Sequence, residues 1–282
     1  MSNNMKAFIF LVLLLCLSCK AENKFLKNKA FIFNLYTDEI PCDSKTVKDD
    51  YKEAYKGHII KNVRNPEIEI FLPDRFEKTK VPLFIIIPGN DTETIYYGSQ
   101  GKRLFDEMKK LDIGVAIWTY RLPFMTSKDC KIDIVKKDFK EFIKMLKKDL
   151  PKWSVDLDEL GVIMYDSNIK TIFNEINTTE NELFIKHQIY LQPNLEGVRL
   201  DKSYELSSKT NIMLMTNTSK RDIAEQKLLD FHEELLSQNY NSTLVESRNN
   251  MNWNESNYRP FEEKFFPWII RKVQYENWGR QY

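Results

Sequence analysis

The chain has 282 residues, of which 42% are hydrophobic, and this length is enough for one sizeable domain. Lysine and arginine number 42 against 41 aspartates and glutamates, which leaves a formal net charge of +1. This balance excludes the basic excess with which proteins hold a phosphate backbone, so no nucleic acid is expected as a partner. Three dispersed histidines argue against a zinc site, and the eight glycines form no phosphate-binding loop. We therefore expect neither a metal nor a cofactor.

The N-terminus has the pattern of an export signal. Lys6 precedes the apolar run AFIFLVLLLCL, which is shorter than the ~20 residues that span a bilayer, and small residues follow it. The sequence CLSCK favours lipidation of Cys19, which would anchor the protein in a bacterial cell envelope through its N-terminal lipid only. Cys16 stands where such sites commonly have leucine, so cleavage after Ala21 and secretion as a soluble protein is the alternative. Residues 1–21 are assigned to this signal.

Two further cysteines, Cys42 and Cys130, are left outside the signal. In an oxidising compartment these two are able to form a disulfide. The sequence alone does not establish whether they meet.

Ordered pattern begins near Gly57, after a polar segment, 22–56, that is predicted to be a tether with an irregular lead-in. The stretches GHIIKNV and EIEIFLP alternate apolar with polar residues, which is typical of antiparallel strands covered on one face. By contrast, VPLFIIIPG and IGVAIWTYRLP are continuous β-branched and aromatic runs, as expected of central strands buried on both faces. Between them, GKRLFDEMKKL predicts an amphipathic helix with its apolar face formed by Leu104, Phe105, Met108 and Leu111.

The second half of the chain continues the alternation of helices and strands. A helix over 133–150 precedes the strand LGVIMY, and the short helix NIKTIFNEI precedes the strand LFIKHQIYLQP. After a polar excursion over 194–208 come the strand NIMLMTN, a long helix, the strand STLVES and a terminal helix that starts near Pro260. This order predicts an α/β fold with a mostly parallel central sheet, antiparallel N-terminal edge strands and helices on both faces. A single domain is predicted over 57–282.

Three stretches, NPEIEIFLPDRFEKTKVPLFIIIPG, IGVAIWTYRLP and DELGVIMY, together resemble the α/β-hydrolase fold over about 57–272. More narrowly, they resemble secreted bacterial carbohydrate esterases of the acetyl-xylan and feruloyl type, and lipase-like esterases. In that family an apolar strand ends in a glycine-rich oxyanion loop, and a later strand ends in a sharp elbow that carries a serine. The resemblance implies a serine nucleophile, a histidine base, an acid that orients the histidine, and backbone N–H groups that hold the oxyanion.

The nucleophile and the oxyanion loop both depart from the family pattern. The elbow reads MYDSN, with Asp166 at the position of the nucleophile and Ser167 one residue later. Some relatives attack with aspartate, so Asp166 and Ser167 are the catalytic candidates of an alternative, enzymatic hypothesis. The loop reads PGNDTETIYYG and keeps only Gly89, after which Asn90 and Asp91 follow. A carboxylate in that loop would oppose the developing negative charge.

The acid and the base are absent from the positions that the family gives them. The segment after NIMLMTN reads TSKR, with Asp222 close by, and the last loop has Asn249 or Asn250 in place of a histidine. General-base help is worth ~10²–10⁴-fold in rate, so its loss weakens any nucleophile at the elbow. The histidines of the chain lie elsewhere, in predicted strands or in a helix where a structural role is favoured: His58, His187 and His232.

Aromatic residues at the ends of predicted strands are the candidates for ligand binding. Their rings can stack on sugars or bury apolar groups, although such residues more often pack in a core. Trp118 and Phe124 belong to this group, whereas the predicted binding set is Gly89, Asn90, Tyr96, Tyr97 and Tyr120. A separate acidic cluster is interpreted as a solvated turn, and its members are Asp149, Asp156, Asp158 and Glu159.

The favoured hypothesis is an exported, lipid-anchored protein of the α/β-hydrolase fold that has lost the Ser-His-Asp triad. It would bind a carbohydrate or another partner without catalysis. The first alternative is a divergent esterase that hydrolyses acylated carbohydrates or small esters with Asp166 or Ser167 and an unrecognised base, His58 or His187. The second alternative is a purely structural role on the membrane surface.

Overall fold

The computed structural model describes the chain in segments, and every structural statement below refers to them. They are residues 30–43, 51–53, 59–73, 80–90, 94–122, 130, 132–165, 169–177, 183–193, 195, 198, 209–217, 223–247 and 259–275. The predicted signal, including Cys19 as the predicted lipidation site, lies outside these segments.

The described segments contain eleven strands and five α-helices. The strands are β1 (Ala30–Asn34), β2 (Tyr51–Glu53), β3 (Ile59–Lys61), β4 (Glu67–Phe71), β5 (Val81–Ile87), β6 (Thr94–Ile95), β7 (Gly114–Thr119), β8 (Val155–Tyr165), β9 (His187–Leu191), β10 (Asn211–Asn217) and β11 (Asn241–Ser247). The helices are α1 (Arg103–Lys109), α2 (Ile134–Asp149), α3 (Ile169–Ile176), α4 (Ile223–Ser237) and α5 (Arg259–Ile269). A π-helical turn, Tyr97–Lys102, leads into α1, and another, Ile270–Tyr275, follows α5. No described helix is both long and apolar enough to cross a membrane.

Eight of the strands form one sheet in the order β1-β4-β7-β5-β8-β9-β10-β11. β4 runs antiparallel to both of its neighbours, and all pairs from β7 through β11 are parallel. The predicted α/β fold class, with a mostly parallel sheet and antiparallel N-terminal strands, is confirmed. Because the parallel strands share one direction, the sheet has an amino end, where they begin, and a carboxyl end, where they finish.

The core lies on both faces of this sheet. All seven residues of β5 are buried, which explains why its sequence is a continuous apolar run. On one face, α2, α3 and α4 contribute apolar side chains such as Phe142, Phe173 and Phe231. On the other face, α1 and α5 contribute a second set, including Phe105 and Phe265. Because helices cover both faces of the sheet, other molecules can approach it at the strand ends.

The segment 22–56, predicted to be a tether, contains two strands that the sequence pattern misses. β1 is an edge strand of the main sheet, and the rings of Phe31 and Phe33 pack against Trp153 at 6.1 and 5.3 Å between centroids. β2 pairs with β3, which in turn pairs with β6, so GHIIKNV contributes to a separate three-stranded antiparallel sheet. These short strands are fixed by distant partners, which is why local periodicity does not reveal them.

The N-terminal segment is bonded covalently to the region after β7. Cys42 and Cys130 form a disulfide with 5.5 Å between their Cα atoms, across 88 residues of sequence. Beside it, Nη1 of Arg121 donates to the carbonyl oxygen of Pro41 at 2.5 Å. The pairing that the sequence left open is therefore present.

A buried ion pair lies next to this disulfide at the carboxyl end of the sheet. Arg121 and Asp138 form a two-pronged pair, with Nε to Oδ2 at 2.9 Å and Nη2 to Oδ1 at 2.5 Å. Tyr36 donates its hydroxyl to Oδ1 of Asp138 at 2.7 Å. Burial, followed by this hydrogen bond, raises the pKa of the Tyr36 hydroxyl well above its ordinary value. The YRL arginine thus binds the protein's own chain, and its charge is neutralised there.

Candidate functional site

The end of β8 and the loop after β5 lie side by side, as the predicted elbow and oxyanion loop require. β5 and β8 are parallel neighbours, with Ile87 in register with Met164. A Cβ added to Gly89 would lie 3.2 Å from the Cβ of Tyr165, so a larger residue there would push the loop away from β8. The sequence therefore places Gly89 at the correct end of the sheet. Asp166 and Ser167 follow directly after β8 and lie outside the described residues.

Two buried side chains hold the backbone of the loop after β5. The N–H of Gly89 donates to Oε1 of Gln100 at 2.6 Å, and Gln100 is 6% exposed. Tyr120 donates its hydroxyl to the carbonyl oxygen of Pro88 at 2.7 Å, and the same hydroxyl lies 3.0 Å from Oδ1 of Asn90. An N–H that already donates to a glutamine is not available to an oxyanion while this contact persists. Gln100 was not identified from the sequence, and nothing in the surrounding YGSQG stretch signals its role.

The predicted binding residues occupy different environments at the carboxyl end. Gly89 and Tyr120 are buried, and the Tyr120 ring packs against Trp118 with 5.2 Å between centroids. Tyr97 is half-buried and donates its hydroxyl to Glu69. The remaining residues, Asn90 and Tyr96, are also half-buried. Phe124 lies outside the described residues.

The described residues on either side of 91–93 pair with each other. Asn90 bridges to Ile95, and the N–H of Tyr96 donates to the carbonyl oxygen of Gly89 at 3.0 Å. The described part of the loop is therefore held by its own backbone as well as by Gln100 and Tyr120.

His187 lies at the amino end of the sheet, away from the elbow. It is the first residue of β9 and is in register with Gly161 of β8, whereas Leu191 is in register with Tyr165. Four residues of strand separate these positions, and at ~3.3 Å per residue this is about 13 Å. The side chain is also fully buried, between the rings of Phe84 and Trp268. His187 therefore cannot accept a proton from a nucleophile that follows Tyr165.

Of the other two histidines, one lies at the amino end of the sheet and the other lies outside the described residues. His232 lies in α4, and its Nδ1 is 2.8 Å from Oγ of Ser242 near the start of β11, again at the amino end. Burial lowers the pKa of His232, and the nearby Glu233 opposes this effect. His58 lies outside the described residues, directly before β3.

Comparison with known proteins gives structural relatives but no sequence relatives. No protein-family model and no curated protein matches the sequence. A solved acetyl ester-xyloside bifunctional hydrolase from Caldicellulosiruptor lactoaceticus is similar with a TM-score of 0.61 and 11% identity, over 91% of this chain and 99% of that one. Thermogutta terrifontis esterase 2, in a structure phosphorylated by paraoxon, is similar with a TM-score of 0.61 and 9% identity, over 86% of this chain and 94% of that one. Esterase LipW from Mycobacterium marinum is similar with a TM-score of 0.59 and 10% identity, over 91% of this chain and 85% of that one.

The chain has the α/β-hydrolase fold. Similarity over nearly the full length of these esterases, together with the sheet order, confirms the predicted resemblance. Identities near 10% show the fold alone, so the activity of an α/β-hydrolase-fold protein must be argued from its own residues. In open α/β sheets, ligands bind beyond the carboxyl ends of the strands, which is where Gly89 and the end of β8 lie.

The amino end of this α/β-hydrolase-fold protein contains a buried charged cluster. Oε1 of Glu159 accepts from Nζ of Lys186 at 2.7 Å, and Oε2 lies 2.9 Å from Nε2 of His187. Nδ2 of Asn211 faces Nδ1 of His187 at 3.4 Å, while its Oδ1 accepts from Asn241 at 2.6 Å. Because Nδ1 faces an amide donor, the tautomer that carries its proton on Nε2 satisfies both contacts. The cluster therefore forms a continuous chain of hydrogen bonds across β8, β9, β10 and β11.

The interpretation of the acidic cluster as a solvated turn is wrong for Glu159. Asp158 is exposed and Asp156 is half-buried, but Glu159 has no exposed surface. Burial raises the pKa of the Glu159 carboxyl, and hydrogen bonds from His187 and Lys186 outweigh it, so the pKa lies below its ordinary value of 4.5. Glu159 is thus a buried carboxylate that neutralises charge inside the fold. No described group of three or more His, Cys, Asp or Glu residues is arranged to hold a metal ion.

Proposed function

We propose that this protein is an exported, lipid-anchored member of the α/β-hydrolase fold that binds a ligand or partner at the carboxyl end of its sheet without catalysis. The ligand class that we propose is a carbohydrate. Half-buried Asn90 and Tyr96, which lie next to Gly89, are the residues that would contact it. An aromatic ring with partial exposure is suited to stacking on a sugar face.

The observation that carries the proposal is the position of the histidines. His187 and His232, the two that lie in described residues, are both at the amino end of the sheet. A base must come within hydrogen-bond reach of the proton that it removes, which is about 2.6–3.2 Å. The hydrogen bond from the Gly89 N–H to Gln100 also supports a protein without catalysis, because the loop that carries Gly89 supplies an oxyanion donor in this fold.

Export is supported by the Cys42–Cys130 disulfide. Disulfides persist in oxidising compartments and are rare in the reducing cytosol. Together with the apolar run after Lys6, this favours a mature protein that works outside the cytosol, with lipid attached at Cys19.

A divergent esterase is the second candidate, and one observation favours it. Gly89 keeps the close approach to the end of β8 that a functional oxyanion loop needs. His58 precedes β3, which pairs with β6 directly after that loop, through Ile60 and Ile95. If any histidine serves Asp166 or Ser167, we propose that it is His58.

An ester-hydrolysis assay separates the two candidates. Purified protein should release nitrophenol from acetyl, butyryl and feruloyl esters no faster than buffer, because neither His187 nor His232, the two histidines in the described residues, lies at the carboxyl end of the sheet. Thermogutta terrifontis esterase 2 serves as the positive control. Turnover that is lost in Ser167→Ala or Asp166→Ala, and in His58→Ala, would establish the esterase instead. For the anchor, labelled palmitate should be incorporated in wild type and not in Cys19→Ser.

A glycan array tests the ligand class. Binding of acylated or plain polysaccharide fragments should weaken in Tyr96→Ala, which removes the half-buried ring. Leu157→Ala, at the opposite end of the sheet, should bind like wild type. Binding that both variants retain would place the site elsewhere.

A further inference from the structure

The turn that leads into α1 holds a glutamine side chain against the loop after β5. The N–H of Gln100 donates to the carbonyl oxygen of Tyr96 at 3.1 Å, and the N–H of Tyr96 donates to the carbonyl oxygen of Gly89 at 3.0 Å. The Gly89 N–H in turn donates to Oε1 of Gln100 at 2.6 Å. Both polar groups of the Gly89 backbone are therefore bonded to one turn, which fixes the position of the Gln100 carboxamide.

Only one half of this carboxamide is used by the protein. The atom that faces the Gly89 N–H must be an acceptor, so it is the oxygen, and Nε2 carries the two donors. Nε2 makes no hydrogen bond to the part of the chain that the structure describes. It is also not one of the fully enclosed polar atoms without a partner, so it reaches solvent although Gln100 is only 6% exposed. A fixed and largely buried residue thus presents N–H donors to other molecules.

These donors lie at the carboxyl end of the sheet, next to the end of β8. A Cβ added to Gly89 would lie 3.0 Å from Oε1 of Gln100 and 3.2 Å from Cβ of Tyr165, so both side chains lie against the same glycine. Nε2 is bonded to the same carbon as Oε1 and therefore shares this position. Ligands of open α/β sheets bind beyond the carboxyl ends of the strands. The Nε2 donors are thus placed where a ligand of this fold would meet them.

The charges around this position favour a neutral acceptor. Arg121 is neutralised by the protein's own chain, and Lys102, in the same turn as Gln100, lies 3.3 Å from a carboxylate oxygen of Glu69. In the sequence, Asp91 belongs to the loop after β5, and the residue that follows β8 directly is also an aspartate. A carboxylate on the ligand would therefore meet paired cations and additional acidic residues. An acyl carbonyl oxygen accepts a hydrogen bond without adding charge.

We propose that Nε2 of Gln100 donates a hydrogen bond to the acyl carbonyl oxygen of an acylated carbohydrate. The Gly89 N–H acts on this contact through the carboxamide, since its bond to Oε1 polarises the amide and strengthens the Nε2 donor. The half-buried ring of Tyr96, directly before the turn, would contact the sugar. This inference rests on the proposed function and names the chemical group that the site recognises. O-acetyl and N-acetyl groups share that carbonyl.

Titration calorimetry with matched disaccharides tests the proposal. N,N′-diacetylchitobiose is compared with cellobiose, and acetylated xylobiose with xylobiose, so that each pair differs in its acyl groups. Wild type should bind the acylated member of each pair about tenfold tighter, the equivalent of ~1.4 kcal/mol. Gln100→Glu keeps an oxygen for the Gly89 N–H but removes both Nε2 donors, so it should bind both members of a pair equally. Gln226→Glu, at an exposed position in α4, is the matched control and should keep the preference.

A preference that survives in Gln100→Glu, or equal binding of both members by wild type, would overturn the role of Gln100. Tighter binding of digalacturonic acid than of either acylated disaccharide would contradict a neutral acceptor. A preference in one pair alone would support the role and identify the acyl group as an amide or an ester. If wild type binds none of the sugars, the carbohydrate proposal fails as well; if it binds them without regard to Gln100, only the role of Gln100 fails.

Nuclear magnetic resonance of isotopically labelled wild type makes the test independent of the folding of any variant. The side-chain NH₂ signal of Gln100 should shift on addition of N,N′-diacetylchitobiose, because the donor exchanges water for the carbonyl oxygen. A signal that stays unchanged while the backbone amide of Tyr96 shifts would show that the sugar binds without Gln100.

Discussion

The two ends of the sheet carry similar chemistry in opposite settings. At the amino end, Glu159 and His187 lie 2.9 Å apart, the carboxylate–imidazole contact that orients a catalytic base. Both side chains are fully buried. They lie at the opposite end of the sheet from the elbow after β8, where a nucleophile would be. At the carboxyl end, where this fold places its chemistry, the Gly89 N–H and Arg121 are both bound by the protein's own side chains. A carboxylate–imidazole pair therefore indicates catalysis only if it lies at the carboxyl end of the strands, close to a nucleophile.

The two ends also solve the same electrostatic problem. A buried charge is tolerated when it is paired and hydrogen-bonded, and each end has such an arrangement. At the carboxyl end the pair is Arg121 with Asp138, supported by Tyr36. At the amino end Glu159 is shared by Lys186 and His187. Each cluster joins chain segments that are distant in sequence, so each should contribute to stability rather than to turnover.

The largest expected effect is at the amino end. Glu159→Gln removes the carboxylate beside buried Lys186, and removal of one partner of a buried ion pair costs ~3–5 kcal/mol. Urea unfolding at pH 7 measures this loss. Asp158→Asn, the exposed neighbour, should change the free energy of unfolding by less than ~0.5 kcal/mol. Equal stabilities of Glu159→Gln and Asp158→Asn would show that the cluster contributes nothing.

At the carboxyl end, the disulfide should contribute a similar amount to the free energy of unfolding. Replacing Cys42 and Cys130 together by alanine should lower the free energy of unfolding by ~2–4 kcal/mol, because the bond restricts the unfolded chain. Unfolding of wild type with and without a thiol reductant measures the same quantity, and the double variant should not respond to reductant. If reductant leaves wild type unchanged, the two cysteines do not pair in solution.

The contribution of Glu159 should depend on pH in a defined direction. Its folded pKa is lower than its ordinary 4.5, so its stabilising effect is fully present above that value and is lost as pH falls through the folded pKa. The stability difference between wild type and Glu159→Gln should therefore be constant near neutral pH and shrink below 4.5. A difference that grows on acidification would contradict the assignment.

A smaller effect is expected at the loop after β5. Gln100→Ala leaves the buried Gly89 N–H without its acceptor, which costs ~1–3 kcal/mol. Gln226→Ala, an exposed glutamine in α4, should fall within ~0.5 kcal/mol of wild type. If Gln100→Ala matches this control, the Gly89 N–H is not held by Gln100, and the loop is free to bind an oxyanion.

The smallest expected effect is that of Tyr120→Phe. The ring stays packed on Trp118, and the hydroxyl's contacts with the Pro88 carbonyl and with Oδ1 of Asn90 are lost, at ~0.5–1.5 kcal/mol. Thermal unfolding measured alongside Gln100→Ala ranks the two contacts. A larger loss in Tyr120→Phe than in Gln100→Ala would reverse their assigned roles in holding the loop.

The sequence predicted the central strands because their signal is local. β5 and β7 are continuous apolar runs, and burial on both faces requires that composition. Gly89 was placed correctly because Pro88-Gly89 closes a buried strand. β1, by contrast, owes its place to β4 and to Trp153, which lies more than a hundred positions away.

The charged residues were harder to interpret for the same reason. Glu159 stands in an acidic run that looks solvated, and its partners Lys186 and His187 are 27 and 28 positions away. Gln100 looks like any polar residue in a helical segment, since its acceptor role depends on how the loop after β5 folds back. A single sequence carries the periodicity of each element but not the pairs that form between elements.

Labelling with an organophosphate tests most directly whether this protein has an activated nucleophile. A serine armed for attack on an ester attacks phosphorus as well, and Thermogutta terrifontis esterase 2, solved after phosphorylation by paraoxon, is the positive control. We predict that the intact mass of this protein stays unchanged after incubation with paraoxon. Stoichiometric phosphorylation that disappears in Ser167→Ala would contradict the account.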